Sequence, residues 1–317
     1  THHRASRMAK THCFGRIQGC ATEPGLMQVL DSLTVAVDAV PATALTQRCD
    51  APVGVFDSGI GGISVLRVLH RWLPHENWVY FADSAHAPYG EKSIEYVIAR
   101  AQAITAELIA KHGIKALVVA CNTATAEAIH ILRDQYPDLP IVGIEPGIKP
   151  ALALSQTRKI GIMATRRTVS SLKFQRLLQS VADQAEFVVR ACDGLALAIE
   201  HQDVANIHSL LASHTQAMGH FGHHAGEIDT LVLGCTHYPL VSPELKQVIG
   251  QGVALVDPGE GIAKQLERLL NKHHLLYRLP HSGLITCQSS AKTAPVEAAM
   301  QRWCSSATQH DLSGVAG

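Results

Sequence analysis

Residues 116–123 read Ala-Leu-Val-Val-Ala-Cys-Asn-Thr, and residues 230–237 read Thr-Leu-Val-Leu-Gly-Cys-Thr-His. Each stretch begins with a run of β-branched and leucine residues, which is typical of a buried parallel strand. Cys121 and Cys235 follow these runs, so each thiol is expected at the carboxyl end of a strand, where open α/β sheets build their active sites. Because the arrangement occurs twice, we predict two thiols that face one substrate from opposite sides.

From Pro52 onward, apolar strands alternate with amphipathic helices, which indicates a parallel α/β sheet. The predicted strands are Val53–Phe56, Trp78–Ala82, Ala116–Ala120, Ile141–Ile144, Lys159–Met163, Glu186–Arg190, Thr230–Gly234, Val253–Asp257 and Leu284–Cys287. The predicted helices include Ile63–Leu73, Ile94–His112, Val169–Val181, Ile207–Met218, Gly261–Leu270 and Pro295–Trp303.

The strands form two series, and each series reaches its cysteine by a similar passage of strands and helices, which indicates an internal repeat. We therefore expect an α/β fold with two similar lobes, each a mainly parallel sheet flanked by helices. Pseudo-twofold symmetry would relate the lobes and place the active site in the cleft between them. The first lobe is expected over residues 52–148 together with about 253–304, and the second over residues 149–252.

Residues 1–51 differ from the rest of the chain and are predicted to be a poorly ordered N-terminal extension. They contain one helical stretch, Met27–Val40. They lack the order of a basic region, an apolar core and a small-residue cleavage site that defines a signal peptide.

Composition restricts the class of protein. Hydrophobic residues make up 47% of the 317 residues and charged ones 17%, as in a globular protein. Lys plus Arg and Asp plus Glu balance at 27 each, which argues against nucleic-acid and anionic-membrane partners. The cysteines show neither a secreted disulfide pattern nor metal-ligand spacing, and no apolar run approaches the roughly 20 residues of a membrane span. A cytoplasmic protein without a bound metal is expected.

A glycine-rich segment, Asp57-Ser-Gly-Ile-Gly-Gly62, follows the first predicted strand and opens a helix. Glycines let the backbone turn tightly, and the N–H groups at a helix start attract an anion, either a carboxylate or a phosphate. A simple turn in which Asp57 caps the helix is the alternative. A dinucleotide site is a weaker one, because the glycine spacing differs from the fingerprint of such sites.

Polar residues accompany both cysteines. Asn122 and Thr123 stand beside Cys121, and Thr236 and His237 stand beside Cys235, so that hydrogen bonds could hold a zwitterion there. Another segment, Pro88-Tyr-Gly90, follows the second predicted strand at the same sheet edge, where by itself it indicates a turn.

Two thiols placed in this way can do acid/base chemistry. A free thiol has a pKa near ~8.5, and a helix N-terminus is expected to lower it, which makes the thiolate accessible near neutral pH. A desolvated thiolate can remove a proton from carbon. If the opposite thiol then returns a proton to the other face, the stereocentre inverts.

The chain resembles the cofactor-independent aspartate/glutamate racemase family over residues 52–270. The resemblance lies in four segments, namely Gly54-Val-Phe-Asp-Ser-Gly-Ile-Gly-Gly62, Pro88-Tyr-Gly-Glu-Lys-Ser93, Ala120-Cys-Asn-Thr-Ala-Thr125 and Leu233-Gly-Cys-Thr-His-Tyr-Pro-Leu240. It implies that the chain is an amino-acid racemase and that Cys121 and Cys235 are its catalytic acid/base residues.

Other roles also come from this resemblance. Asp57 and His237 would assist or orient the thiols, and Glu200, eight residues after Cys192, matches a carboxylate of the family's second lobe and completes the catalytic set. A Thr-Arg-Arg-Thr segment at residues 165–168 is similar to a family loop, which implies that one of Thr165 and Thr168 reaches the substrate, with Thr168 favoured. The implied substrate contacts are Asp57, Ser58, Tyr89, Gly90, Asn122, Thr123, Thr168, Thr236 and His237.

The substrate follows from the same resemblance. Aspartate racemases of the family tend to carry an acidic residue where this chain has His237, and a histidine where it has Thr125, so glutamate is favoured and aspartate is the alternative. The implied role is supply of D-glutamate for peptidoglycan in a bacterial cytoplasm. No lysine Schiff-base motif is recognisable, so no cofactor is expected. Activation by a peptidoglycan precursor and a homodimeric state are left open.

Two readings from other classes compete. A cysteine hydrolase could use Cys235 with His237 as its base, although neighbouring strand-end residues seldom orient a side-chain pair correctly and Cys121 would have no role. An amino-acid-binding module without chemistry is the other reading.

Overall fold

The computed structural model describes residues 49–278 and 282–304. Its strands are β1 Val53–Asp57, β2 Trp78–Ala82, β3 Ala116–Val119, β4 Ile141–Gly143, β5 Lys159–Ala164, β6 Glu186–Ala191, β7 Thr230–Gly234, β8 Ala254–Val256 and β9 Ile285–Ser289. Its α-helices are α1 Ile63–Trp72, α2 Ile94–His112, α3 Asn122–Gln135, α4 Ile148–Leu154, α5 Arg166–Ser170, α6 Leu172–Gln179, α7 Leu195–Glu200, α8 Val204–Gln216, α9 Ser242–Ile249, α10 Gly259–Lys272 and α11 Ala294–Cys304. The predicted helix Met27–Val40 and most of the predicted N-terminal extension lie outside the described residues.

The strands form two parallel sheets. The first has the order β4-β3-β1-β2-β9 and the second the order β6-β5-β7-β8. Read from the other side, β8-β7-β5-β6 repeats the order β4-β3-β1-β2, so β3 and β7 occupy equivalent places. The predicted α/β fold with two parallel sheets flanked by helices is confirmed, whereas the pseudo-twofold relation of the lobes stays a prediction.

Strands β1, β2 and β3 of the first sheet are buried on both faces because they are almost entirely apolar. Along β1, all five residues are buried, with Val53 and Val55 on one face and Phe56 on the other. Helices α1, α10 and α11 pack on the valine face, and α2 and α3 pack on the face of Phe56. The core on the valine face continues into the second sheet, so one apolar cluster joins the two lobes.

The assignment of β8 differs from the prediction. This strand was expected in the first lobe, but it pairs with β7 and therefore belongs to the second sheet. The chain returns to the first lobe with α10, which packs against α1. Strand pairing depends on neighbours distant in sequence, so the apolar run at residues 253–257 could not indicate its sheet.

Prolines and one serine explain where the observed helices differ from the predicted ones. Helices α4 and α9 were not predicted, and each carries a proline, Pro150 or Pro243, within its first three residues, where no intrahelical N–H bond is lost. The single helix predicted over Val169–Val181 is two helices, α5 and α6. Ser171 separates them because its backbone is extended and its side chain caps α6 by accepting the Phe174 N–H.

Within the described residues, no helix is both long and apolar enough to span a membrane.

Candidate active site

The two cysteines lie at the carboxyl ends of the equivalent strands β3 and β7. In the first sheet, β2 lies on one side of β1 and the next strand, β3, lies on the other side. In the second sheet, β6 and β7 flank β5 in the same way. Such switch points in strand order are where open α/β sheets bind ligands. Both thiols are buried, with 5% of Cys121 and 6% of Cys235 exposed. The predicted placement of both cysteines at strand ends is therefore confirmed.

Cys121 lies in a tightly enclosed environment. Its thiol donates to Ser58 Oγ at 3.8 Å, and its sulfur accepts the Ala124 N–H at 3.5 Å as the N-cap of α3. Burial raises the pKa of the Cys121 thiol well above its usual value, and the nearby carboxylate of Asp57 adds to the rise. The expectation that the helix start lowers this pKa is wrong, because desolvation outweighs the single N–H contact.

Cys235 faces a histidine. Its sulfur lies 3.7 Å from Nδ1 of His237, and Nε2 of the same ring lies 2.8 Å from Oε2 of Glu200. Burial by itself lowers the pKa of His237, but the hydrogen bonds to Cys235 and Glu200 outweigh it and raise this pKa well above its usual value. Burial likewise opposes ionisation of Glu200, and the hydrogen bond from His237 still lowers its pKa. The ring is thus held as an imidazolium between a carboxylate and a sulfur.

This contact corrects the expectation that neighbouring strand-end residues do not orient a side-chain pair. The backbone turns helically at His237, with φ −71° and ψ −34°, directly after β7. The turn brings the ring back over the sulfur of Cys235, two residues earlier.

Asp57 is the last residue of β1, and it contacts residues next to both thiols. One of its oxygens, Oδ2, accepts the Gly62 N–H and the hydroxyl of Thr236 at 3.3 Å, and Ser58 Oγ lies 3.4 Å from Oδ1. Complete burial raises the pKa of Asp57 to about 6, although the charge of His237 acts in the opposite direction. This carboxyl therefore titrates close to the neutral range.

The glycine-rich segment binds anions as predicted, but these anions belong to the protein. The Ile60 N–H donates to Oε2 of Glu200 at 2.9 Å, and the Gly62 N–H donates to Asp57. A Cβ on Gly59 would lie 2.2 Å from Oε2 of Glu200, and one on Gly61 would lie 2.4 Å from Nδ1 of His237. The glycines are needed because second-lobe side chains press directly on this first-lobe backbone.

Hydroxyl groups from both lobes meet at the other end of the cleft. Thr123 Oγ1 lies 3.1 Å from Thr165 Oγ1 and 3.5 Å from Thr168 Oγ1. Thr165 caps α5 by accepting the Thr168 N–H at 3.2 Å. The structure thus brings Thr168 of the second lobe next to Thr123 of the first.

Asn122 offers free hydrogen-bonding capacity to a ligand. Only 4% of the residue is exposed, yet neither its side-chain oxygen nor its nitrogen has a hydrogen-bond partner. It lines a small cavity of about 10 Å³ together with Cys235 and Thr236 of the second lobe. An unpaired buried amide is costly, which makes Asn122 a candidate for ligand binding.

Two predicted substrate contacts have partners within the protein. The hydroxyl of Tyr89 donates to Asp83, whose carboxylate Arg100 holds through Nε at 2.9 Å and Nη2 at 2.7 Å. Gly90 lies against Thr165, where a Cβ would approach to 2.9 Å. The tyrosine therefore shapes its loop through Asp83, and its hydroxyl is already committed.

Thr125, which the resemblance linked to substrate choice, is occupied in the same way. Its hydroxyl donates to the Val119 carbonyl at 3.1 Å and accepts the Ile144 N–H at 3.0 Å. The side chain joins the ends of β3 and β4 instead of reaching into the cleft.

Sequence reasoning missed two side chains that shape the site. Ser84 Oγ donates to Oε1 of Glu200 at 3.2 Å, and the hydroxyl of Tyr80 donates to the Gly59 carbonyl at 2.6 Å. The position of Ser84 just after β2 was a usable signal, because the ends of neighbouring parallel strands meet at one sheet edge. Tyr80 lies within the apolar run of β2 and carried no such signal.

In the part of the chain that the structure describes, no group of three or more His, Cys, Asp or Glu side chains could hold a metal ion.

Fold and site together define an α/β protein with two buried thiols at equivalent strand ends of two lobes. A family model described as Asp/Glu/Hydantoin racemase matches residues 53–266. The glutamate racemase of Ectopseudomonas mendocina is 47% identical over 235 residues, which cover 74% of this chain and 87% of that protein.

Solved structures agree with this match. The glutamate racemase isoform RacE1 from Bacillus anthracis superposes with a TM-score of 0.68 at 29% identity, covering 80% of this chain and 94% of the other. The Escherichia coli glutamate racemase, solved in complex with L-glutamate and the activator UDP-MurNAc-ala, gives a TM-score of 0.67 at 29% identity, with coverage of 80% and 95%. The chain belongs to the Asp/Glu/hydantoin racemase family, whose members are isomerases. This membership decides against the hydrolase and binding-module readings.

The contact between Gly59 and Glu200 makes a testable prediction. We expect Gly59→Ala to lower the free energy of unfolding by about 1–3 kcal/mol, because the new methyl group overlaps the Glu200 carboxylate and must displace it. Urea denaturation measures the change. Gly261→Ala is the control: nothing lies within 4 Å of its Cβ position in α10, so stability should stay equal or rise by up to about 1 kcal/mol. Equal stability of the Gly59→Ala variant and the parent would contradict the proposed packing.

Proposed function

We propose that this protein is a glutamate racemase that interconverts L- and D-glutamate by proton transfer between Cα of the substrate and two cysteines. The observation that carries the proposal is the pair of buried thiols at the ends of β3 and β7, set in different electrostatic environments. The 47% identity to a glutamate racemase supports glutamate as the substrate. Aspartate is the alternative.

The two thiols have different neighbours. Burial keeps Cys121 protonated at neutral pH, because it raises the pKa of this thiol well above its usual value. Cys235 instead faces the imidazolium of His237 at 3.7 Å. We propose that Cys235 acts as the base toward L-glutamate and Cys121 as the acid.

Racemisation then needs two proton transfers. The Cys235 thiolate takes the proton from Cα: the C–H bond breaks, its electron pair stays on the substrate, and an S–H bond forms. Cys121 gives its proton to the opposite face of the carbanion and becomes the thiolate. The product has the inverted configuration, and the enzyme is left in the protonation state that starts the reverse reaction. We propose that no cofactor takes part.

The surrounding polar groups would hold the amino acid between the thiols. Asn122, with both of its amide atoms unpaired, is the strongest candidate contact. The remaining proposed contacts line the cleft from both lobes, and they are Asp57, Ser58, Tyr89, Gly90, Thr123, Thr168, Thr236 and His237. Of these, Tyr89 would act through the shape of its loop, because its hydroxyl is bound to Asp83.

His237 and Glu200 would act on Cys235, and Asp57 would act on Cys121. Glu200 holds His237 as a cation at 2.8 Å, and through it affects the sulfur. Ser58 joins Asp57 to Cys121, since its hydroxyl lies within 3.4 Å of the carboxylate and 3.8 Å of the sulfur. Glu200 is thus a positioning residue, and the two cysteines are the catalytic ones.

The product places the protein in cell-wall synthesis. D-glutamate would serve peptidoglycan synthesis in the cytoplasm. The Escherichia coli relative was solved with the activator UDP-MurNAc-ala, and activation of this chain by a peptidoglycan precursor is part of the proposal. A homodimeric state is also part of it.

Incubation with L-glutamate in D2O, without added cofactor, tests the function. We expect D-glutamate to accumulate to an equal mixture with deuterium at Cα, followed by NMR and chiral chromatography. A parallel incubation with L-aspartate should give much slower exchange. Faster exchange with aspartate would move the assignment to an aspartate racemase, and no exchange with either amino acid would refute racemisation.

The cysteine variants test the two-base mechanism. Cys121→Ala and Cys235→Ala should each lower kcat for racemisation by about 10³-fold or more, because each removes one of the two proton carriers. Cys287→Ala in β9 serves as a control that removes a thiol outside the cleft, and it should keep parental activity. Circular dichroism confirms folding. Parental turnover by either active-site variant would exclude the mechanism.

The pH profile tests the role of Asp57. Since the pKa of Asp57 is raised to about 6, its carboxylate prevails only above that pH. We expect kcat/KM to fall as the pH decreases through about 6, when the protonated side chain loses its charge beside Ser58 and Cys121. Asp57→Asn should lower kcat/KM and abolish this limb of the profile. An unchanged limb in the variant would assign the titration to another group.

A further inference from the structure

The Glu200 carboxylate, which contacts His237 in its own lobe, is also held by residues of the other lobe. Glu200, His237 and Cys235 all belong to the second lobe. The other donors to the carboxylate come from the first lobe: the Ile60 N–H at 2.9 Å and the Ser84 hydroxyl at 3.2 Å. The carboxylate is therefore bound from both sides of the cleft.

The two carboxylate oxygens have different tasks. Oε2 accepts both the Ile60 N–H and the His237 Nε2–H, the latter at 2.8 Å. Oε1 accepts the hydroxyl of Ser84. Two contacts on one oxygen leave rotation of the carboxylate plane open, and a third contact on the other oxygen restricts it. Ser84 thus restricts the orientation of the Glu200 carboxylate relative to the His237 ring.

We propose that Ser84 is a positioning residue for the Glu200–His237–Cys235 relay, and that the relay is fully assembled only when the first lobe supplies the Ser84 hydroxyl. The inference rests on the proposed function, because it assigns the relay to Cys235 as an acid/base group. It adds a residue that touches neither thiol, at the end of β2 in the opposite lobe.

The charges around Glu200 determine the sign of the effect. His237 faces it as a cation, Asp57 lies near as an anion, and the hydroxyl of Tyr80 completes the titratable surroundings. Loss of the Ser84 hydrogen bond removes one of the contacts that stabilise the Glu200 anion. Glu200 would then take up a proton at a higher pH, the imidazolium would lose its counter-ion, and Cys235 would lose its cationic partner.

The location of Ser84 allows a clean experiment. Ser84 begins a short 3₁₀ turn, Ser84–His86, and is half-buried, so removal of its hydroxyl leaves no large void. The Ala85 N–H of the same turn donates to Ser290 Oγ at 3.1 Å. Ser290→Ala therefore disturbs the same turn without touching Glu200, and it is the matched control.

The test is the pH dependence of alkylation by iodoacetamide, measured separately at Cys121 and Cys235 by mass spectrometry in the full-length protein. In Ser84→Ala, we expect the pH below which Cys235 is no longer alkylated to rise by about half to one unit. A shift of this size corresponds to the removal of one hydrogen bond to a charged group. The profile of Cys121 should not move. Ser84→Thr, which keeps the hydroxyl, should restore the profile of Cys235.

Other results would overturn the proposal. An unchanged Cys235 profile in Ser84→Ala would remove Ser84 from the relay. Equal shifts at both thiols, or the same shift in Ser290→Ala, would indicate a general loosening of the turn. Because alkylation does not require turnover, these outcomes are separate from the D2O experiment, which tests racemisation itself.

Discussion

The hydrogen bond from the Ile60 N–H of the first lobe to the Glu200 carboxylate of the second is the contact on which the site depends. The same oxygen, Oε2, also binds His237. One atom therefore both joins the two lobes and stabilises the positive charge of the imidazole. Close approach of a carboxylate to backbone requires that no side chain intervene, which accounts for Gly59. A segment that would otherwise be a generic anion-binding loop is thereby used to join the lobes and to set the charge next to Cys235.

A repeated backbone carries two different electrostatic environments. Cys121 and Cys235 follow equivalent strands, and both are almost fully buried. Around Cys121 the contacts are a hydroxyl and one N–H, so desolvation dominates and the pKa of the thiol rises. Around Cys235 the contact is an imidazolium backed by a carboxylate. Equivalent places in the fold thus carry two thiols with unlike neighbours.

Much of the fold could be predicted because the strands of a parallel sheet stand out in the sequence as short apolar runs. Each of the nine strands that the structure describes was expected within about two residues of its position, since most of them are short apolar runs visible in the sequence. Helices α4 and α9 were missed because a proline in the first turn resembles a helix breaker. The sheet to which β8 belongs was wrong, because pairing with β7 is a contact between distant segments. Glu200 entered through a family resemblance alone, and Ser84 was not found.

The sequence by itself determined where the strands lie, that two cysteines end equivalent ones, and that glycines and small polar residues surround them. These features follow from the alternation of apolar runs and turns, which each segment carries within itself. Only the tertiary structure decided what each thiol faces. The contact from Ser84 to Glu200 joins residues 116 positions apart, and the one from Ile60 to Glu200 spans 140 positions. Because the pKa of a buried group depends on its desolvation and on its partners, the chemistry of the site is a property of the packed lobes.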